Sequence, residues 1–262
     1  MNGQSMTDLI ENYDTQLSKK SLGIWLDLST YCNAKCPQCH RTNANGLEKA
    51  DWLPLIQWSY DEFVRMFPVK TLKNLRHFDI CGSWGDPIMN KDIFKIVEYI
   101  IKNTSKTTVL INTNGSFRNA DWWWNLGLIG GRRIRVMWAI EGVDQKQQSH
   151  YRQNTNLDLV LENMEAFSLA GGWSQVFTVV FEHNEKDLYN ISELVKDHGA
   201  EEIFFVQSNR FYDNNAFDFI DALGRKKVLR RTNLENKPDF YWRTWHLYDK
   251  NHMKRIEYET AK

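Results

Sequence analysis

Six short apolar runs, rich in β-branched and aromatic residues and separated by segments with helical spacing, constrain this chain more than any other feature. The runs cover 23–28, 77–81, 108–112, 134–140, 176–181 and 202–206. Between the first two, Ser59-Tyr60-Asp61-Glu62 has the form of a capping box and opens a helix that runs to Met66. Asn90 stands where it could cap a helix in which Ile93, Ile96, Val97, Ile100 and Ile101 recur at helical spacing. Further helices are expected through 122–126, over 157–169 with Gly171-Gly172 as the stop, and through Leu188, Ile191, Leu194 and Val195 up to Gly199. Strands alternating with helices predict an α/β fold with a parallel sheet and right-handed crossovers. Six such units make either an open doubly wound sheet or a partial barrel, and periodicity does not choose. In both, ligands gather at the C-terminal ends of the strands. The residues with most chemistry follow strand ends: three cysteines, the 82–87 loop, Thr113-Asn114-Gly115 and Glu141-Gly142.

The first run leads directly into Cys32-Asn33-Ala34-Lys35-Cys36-Pro37-Gln38-Cys39, a C-x3-C-x2-C spacing. Four-iron clusters normally take four cysteine thiolates, so three local thiolates hold three irons and leave the fourth open. An open metal position marks a reactive site, a closed one a structural site. Three other uses fit the same residues. Zinc could take the three cysteines with His40, although neighbouring side chains at 39 and 40 converge poorly on one tetrahedral ion. Cys36 to His40 also reads as the attachment pattern for c-type haem. The third is a redox dithiol, with Cys32 a bystander.

Compartment and composition bear on that choice. The N-terminus lacks the basic start and apolar core of a signal peptide, and no stretch reaches the ~20 apolar residues needed to cross a bilayer. A cytoplasmic chain without a membrane partner is expected. Three of its four cysteines are clustered, which points to metal or catalysis and not to a disulfide scaffold. Of 262 residues, 42% are hydrophobic, enough for a sizeable core. Lys+Arg and Asp+Glu both number 33, so overall charge gives no argument for nucleic acid or an acidic membrane surface. The 11 tryptophans read mostly as packing.

Together these residues resemble the radical SAM superfamily. The cysteine spacing is that family's signature. Cys81-Gly82-Ser83-Trp84-Gly85-Asp86-Pro87 resembles its Gly-Gly-Glu-Pro loop, with aspartate for glutamate, and Thr113-Asn114-Gly115 is similar to another recurring element. Glu141-Gly142 followed by Tyr151-Arg152 resembles the fourth-strand region and the arginine beyond it. The resemblance covers roughly 22–207 and leans to the peptide-maturing and cofactor-building branch. It implies a partial (β/α)6 TIM-like barrel with a short C-terminal extension. It implies a [4Fe–4S] cluster on Cys32, Cys36 and Cys39, with the amino and carboxylate groups of S-adenosylmethionine on the open iron. Reductive cleavage of that cofactor to methionine and a 5′-deoxyadenosyl radical, then hydrogen abstraction from substrate, is the implied activity. The electron would come from a donor such as flavodoxin or ferredoxin.

The same resemblance assigns residues. Ser83, Trp84, Gly85 and Asp86 are expected at the cofactor's amino group, with Gly85 letting backbone approach a ligand. Asn114 joins this contact set. Arg152 suits the carboxylate, since arginine pairs with such groups in bidentate fashion. Glu141 is expected at the ribose hydroxyls. Each has a plainer alternative: Asp86-Pro87 as a turn, Arg152 as a solvated helix-start charge, Glu141 as a surface residue. Ala139 stands where the family often has a small hydroxyl residue. Cys81 is outside the signature and reads as inert packing at a strand end. No cysteine follows it, so an auxiliary-cluster domain is not expected.

The organisation expected is a leader over 1–21, a core over 22–208 and an extension over 209–262. The extension carries a basic run, 225–231, and an aromatic patch, 240–245. The basic run reads first as a solvated helix; gripping nucleic acid or docking a peptide stay open. The substrate could be a peptide, a nucleotide or a small metabolite, with peptide or protein leading. The competing class is a non-catalytic zinc or Fe–S module that binds a partner through its tail. The glycine–aspartate–proline loop favours the enzyme, because a zinc knuckle has no need of it.

Overall fold

The computed structural model describes residues 22–212, 214–234 and 241–244. The expected leader and the ends of the aromatic patch lie outside the described residues. Six strands, β1 (Gly23–Leu26), β2 (His77–Ile80), β3 (Thr108–Thr113), β4 (Ile134–Ala139), β5 (Trp173–Val180) and β6 (Glu202–Gln207), lie side by side in chain order. Every neighbouring pair among them is parallel. A doubly wound sheet reverses its strand order at a switch point. This sheet never reverses, so it curls as a partial (β/α)6 barrel. β1 and β6 do not pair, and the barrel stays open.

Among the described residues seven α-helices lie between these strands: α1 (Tyr60–Met66), α2 (Val69–Leu72), α3 (Ile93–Asn103), α4 (Ala120–Gly130), α5 (Gln145–Tyr151), α6 (Leu157–Leu169) and α7 (Leu188–Asp197). The capping box forms as the sequence predicts: Glu62 N–H donates to Ser59 Oγ (3.3 Å) and Ser59 N–H donates to Glu62 Oε2 (2.8 Å). α3 buries the five apolar positions that predicted it. Its cap differs from expectation. Asp92 is the N-cap, and Asn90 instead donates through Nδ2 to the carbonyls of Leu28 and Trp58, 2.8 Å each. Asn90 has no exposure and stitches the exit of β1 to the approach of α1. Those partners are far in sequence, so local spacing could not reveal them. α6 stops where expected, at Gly171 with φ +93°. α5 had no forecast, and β5 starts three residues earlier than its apolar run.

Strand alternation sorts the residues. β3 buries Val109 and Ile111 under the helices and leaves Thr108, Leu110 and Asn112 half-buried on the inner face, while Thr113 at its end is buried at the cavity wall. The outer faces of β2–β6 and the helices form one core, in which Trp123 and Trp138 pack at 4.5 Å. A second apolar cluster, with Ala34, Leu47, Tyr151, Phe181, Phe211, Phe219 and Leu229, lies beneath the cysteine loop.

That cluster depends on the extension. The basic run is a strand and not a helix: β8 (Lys226–Arg230) pairs antiparallel with β7 (Ala216–Ile220). Leu229 is fully buried between exposed Val228 and Arg230, a period of two that only a strand satisfies. The turn is closed by Asp221 Oδ1, which accepts from the N–H groups of Leu223 and Arg225, 2.9 Å each. The backbone of the aromatic patch forms β9 (Tyr241–Thr244), antiparallel on the outer edge of β6. No described helix is long and apolar enough to cross a membrane.

Candidate functional site

The C-terminal ends of the strands open on a cavity of about 530 Å³. Cys32, Cys36, Cys39, Ser83, Gly85, Asp86, Asn114 and Arg152 all lie on its wall. The fold thus gathers eight of the ten residues singled out in the sequence. Trp84 and Glu141 do not line it.

The cysteine loop folds over its own backbone. Cys39 N–H donates to the Cys36 carbonyl (3.1 Å) and Thr42 N–H to the Cys39 carbonyl (3.0 Å). The Thr42 hydroxyl lies 2.8 and 3.0 Å from those same two carbonyls. Asn33 Nδ2 donates to the Ser116 carbonyl (2.8 Å) and Lys35 N–H to the Gln153 carbonyl (2.8 Å), which moors the loop to the exits of β3 and α5. All four cysteines are free thiols. Burial pushes the Cys36 thiol up to about 11 and carries Cys32 beyond the ordinary thiol range, with Asp86 adding to the effect at Cys32. His40 is exposed, its ring 6.3 Å from Trp84 and off the cavity wall. A zinc site built from the three cysteines and His40 finds no support in that direction.

Asp86 anchors the β2–β3 side. It is 3% exposed and accepts four hydrogen bonds: from Thr113 Oγ1 (2.8 Å), Asn114 N–H (2.8 Å), Asn114 Nδ2 (2.5 Å) and Ile88 N–H (3.2 Å). Burial still raises its carboxyl to about 6, against the pull of those donors. Its carboxylate is therefore engaged by protein, more than the turn reading required. Asn114 Nδ2 also reaches Asn33 Oδ1 (2.9 Å) and lies 3.8 Å from Cys32 Sγ, joining this network to the cysteine loop. Gly85 is needed for a close approach, but to the chain itself: a Cβ there would lie 2.2 Å from the Ser29 carbonyl oxygen. Asp27 Oδ1 accepts from the N–H groups of Ser83 (3.0 Å) and Trp84 (3.4 Å). The Trp84 ring turns outward and stacks edge-on against Trp52 at 5.3 Å.

Glu141 and Arg152 form one unit on the other side. Glu141 has no exposure, and its two oxygens accept from Arg152 Nε (2.7 Å) and Nη2 (2.6 Å). It is neither a surface residue nor turned to the cavity. Arg152 sits at the C-cap of α5, not at a helix start, and its Nη1 lies 3.6 Å from Cys36 Sγ. Glu141 and the Cys36 sulfur hold the guanidinium protonated despite burial. Breaking such a buried pair costs roughly 3–5 kcal/mol.

Several wall residues escaped sequence reasoning. Cys81 faces the cavity half-buried, its sulfur 3.5 Å from the Asp79 carbonyl, and is not packed inertly. Burial, with Asp79 and Asp27 nearby, raises its thiol to about 11. Arg41, Asp79, Met137 and Arg210 share the wall. None belongs to a local motif. Only strand parity at Asp79 and Met137 carried any signal.

The site is thus an open (β/α)6 barrel with three free thiols on the wall of the cavity at its strand ends. No family model matches the chain. GTP 3′,8-cyclase of Staphylococcus carnosus (strain TM300) is similar at 21% identity over 227 residues, 84% of this chain and 64% of that protein. Among solved structures, Streptococcus suis SuiB matches with a TM-score of 0.59 and 14% identity, over 96% of this chain and 49% of SuiB. The structure of anSMEcpe with bound AdoMet matches with a TM-score of 0.54 and 16% identity, over 71% of this chain and 50% of that one. The chain therefore spans under two thirds of the cyclase and about half of the other two. At these identities the likeness to the solved structures is one of fold, an open barrel of parallel strands and helices.

Proposed function

We propose that residues 22–208 are the core of a radical SAM enzyme in which Cys32, Cys36 and Cys39 hold a [4Fe–4S] cluster and the open iron takes S-adenosylmethionine. One observation carries this reading: three unpaired thiols share one cavity wall, with Arg152 beside Cys36. Among the described residues no three His, Cys, Asp or Glu side chains gather round a single-ion position. A cluster does not ask for that, since each thiolate takes its own iron. When bound, the cluster supplies the electron that splits S-adenosylmethionine into methionine and a 5′-deoxyadenosyl radical, which takes hydrogen from substrate.

The chain's own residues bind and orient. Because the thiols are protonated when bare, loading the site expels their protons. Arg152, held at a fixed angle by Glu141, offers its remaining N–H groups to the cofactor carboxylate. The 83–86 loop and Asn114 serve the ammonium group, and Asp86 fixes that loop against β3. Trp25, Asp79, Cys81 and Met137 line the cavity outside these contacts, and we assign them to substrate. A peptide or protein substrate is favoured. SuiB, one of the matched structures, is seen bound to its precursor peptide SuiA. A small redox protein of the flavodoxin or ferredoxin type would deliver the electron, in the cytoplasm.

Anaerobic reconstitution tests the reading. It predicts a brown protein with about four irons per chain. After dithionite reduction that protein releases 5′-deoxyadenosine from S-adenosylmethionine. Cys36→Ala loses both colour and product. A colourless zinc protein that yields no nucleoside sinks the proposal and leaves a non-catalytic module in its place.

A further inference from the structure

The cysteine loop is moored at Asn33 and Lys35 to the β3 and α5 exits, but Cys39 lies beyond those anchors. Besides its own turn bonds and Thr42, that half of the loop is held by a segment some 170 residues later. Gln38, between the second and third cysteines, is 4% exposed. Its backbone carbonyl accepts from Arg210 Nη1 at 2.7 Å. Its side-chain oxygen accepts from Ser208 Oγ at 2.7 Å, and its side-chain nitrogen donates to the Arg210 carbonyl at 3.4 Å. Two residues of the β6 exit thus engage three polar groups of one loop residue. A guanidinium on a carbonyl is a charge-assisted bond, stronger than a neutral one.

The chain then continues the same grip. Phe211 follows Arg210 into the second apolar cluster, where it joins Cys36, Leu47 and Phe219. Ile220 exchanges backbone bonds with the segment just past the cysteines: its N–H donates to Ala44 O (2.8 Å) and its carbonyl accepts from Gly46 N–H (2.9 Å). Just past its second strand, Arg231 bridges to Phe181 at the β5 exit. The hairpin therefore spans from the first β–α unit to the fifth.

We propose that Arg210 is a positioning residue for the cluster site, and that it and the β7–β8 hairpin clasp the cysteine loop so that Cys39 is held toward the cavity. The proposal rests on the radical SAM reading for its purpose, though not for its geometry. It moves the working boundary of the site past residue 208 and gives the extension a role inside the molecule. Arg210 also lines the cavity, so its positive charge stands on the wall where cluster and cofactor would sit.

The test uses the full chain as Arg210→Met, Arg210→Lys and Ser208→Ala. In the protein without cluster, hydrogen exchange is followed over 36–42, whose protected amides include Cys39 and Thr42. The clasp predicts exchange there about tenfold faster in Arg210→Met, with the strands unchanged and with partial rescue by Arg210→Lys. After reconstitution, Arg210→Met should retain less than half the iron of the parent. Its reduced cluster should show an altered electron paramagnetic resonance response to S-adenosylmethionine. Parent-like exchange and parent-like spectra in Arg210→Met overturn the proposal. If that variant unfolds, seen as faster exchange throughout the strands, Ser208→Ala carries the test: unchanged exchange over 36–42 then overturns it. A parent that takes up no iron defeats the radical SAM reading, while the exchange arm still decides the clasp.

Discussion

On the β2–β3 side of the cysteine loop, Asp86 collects four donors that all lie within 28 residues of it, on two adjacent strand exits. On the opposite side, Arg152 bonds Cys36 across 116 residues and Arg210 bonds Gln38 across 172. Both walls hold the same loop, yet the carboxylate of one is met by donors close to it in the chain, whereas the other is built from guanidinium groups that reach the loop directly from far along the chain. The difference teaches where each wall is vulnerable. A carboxylate fed by several donors tolerates the loss of one. A buried guanidinium with a single carboxylate partner does not.

The largest expected effect follows from that asymmetry. Glu141→Ala leaves Arg152 buried without its counter-ion and should cost about 4 kcal/mol, seen as a drop in the urea midpoint. A loss under 1 kcal/mol would erase the contrast between the walls. Next comes the pH dependence of Asp86. Its folded carboxyl titrates at about 6, above the unfolded value of 3.8, so the unfolded chain releases this proton first as pH rises. The group's contribution is complete below about pH 4 and is lost as pH climbs through 6, some 3 kcal/mol in all. Urea unfolding of the cluster-free protein between pH 4 and 7 should show that decline, and Asp86→Asn should remove it.

Gly85→Ala sharpens the near wall. Its methyl group meets backbone at Ser29 and Thr30, which cannot rotate aside, and roughly 2–3 kcal/mol should be lost. A neutral result would mean that the two loops separate freely. The smallest effect belongs to His183, on the far side, sandwiched between His150 (4.3 Å) and Phe181 (5.5 Å) with both ring nitrogens buried and unpartnered. Burial, then His150, holds its imidazole down at about 3. Its contribution is present above the unfolded value near 6.5 and is lost as pH falls toward 3, opposite in sign to Asp86. His183→Phe keeps the stacking. It should match the parent at pH 7 and exceed it by about 2 kcal/mol at pH 5, as read from melts at the two pH values. Equal acid sensitivity in both proteins would place the titrating group elsewhere.

Legibility followed the same division. The near wall could be read because its residues sit directly after consecutive strands, and a strand exit is a place that spacing locates. The three thiols, Asn114 and Asp86 were found that way. Glu141 and Arg152 were noticed one at a time, but their union was not visible, since nothing in residues 141 and 152 says that a short helix folds one onto the other. The outward turn of the Trp84 ring could not be read, because it depends on Trp52, 32 residues earlier. The basic run looked like a solvated helix until Leu229 was seen buried beneath it. Gln38 and Arg210 gave no signal at all.

By itself the sequence determined the repeating strand–helix order, the faces on which apolar side chains fall and the presence of a three-thiol loop after the first strand. These are properties of periodicity and of near neighbours, fixed by backbone geometry over a few residues. Only the tertiary structure decided that the sheet curls without reversing, that Glu141 serves Arg152, and that the chain's later segment returns to grip its first loop. Such outcomes depend on which distant groups satisfy one another's buried charges and hydrogen bonds, and no local pattern encodes that pairing.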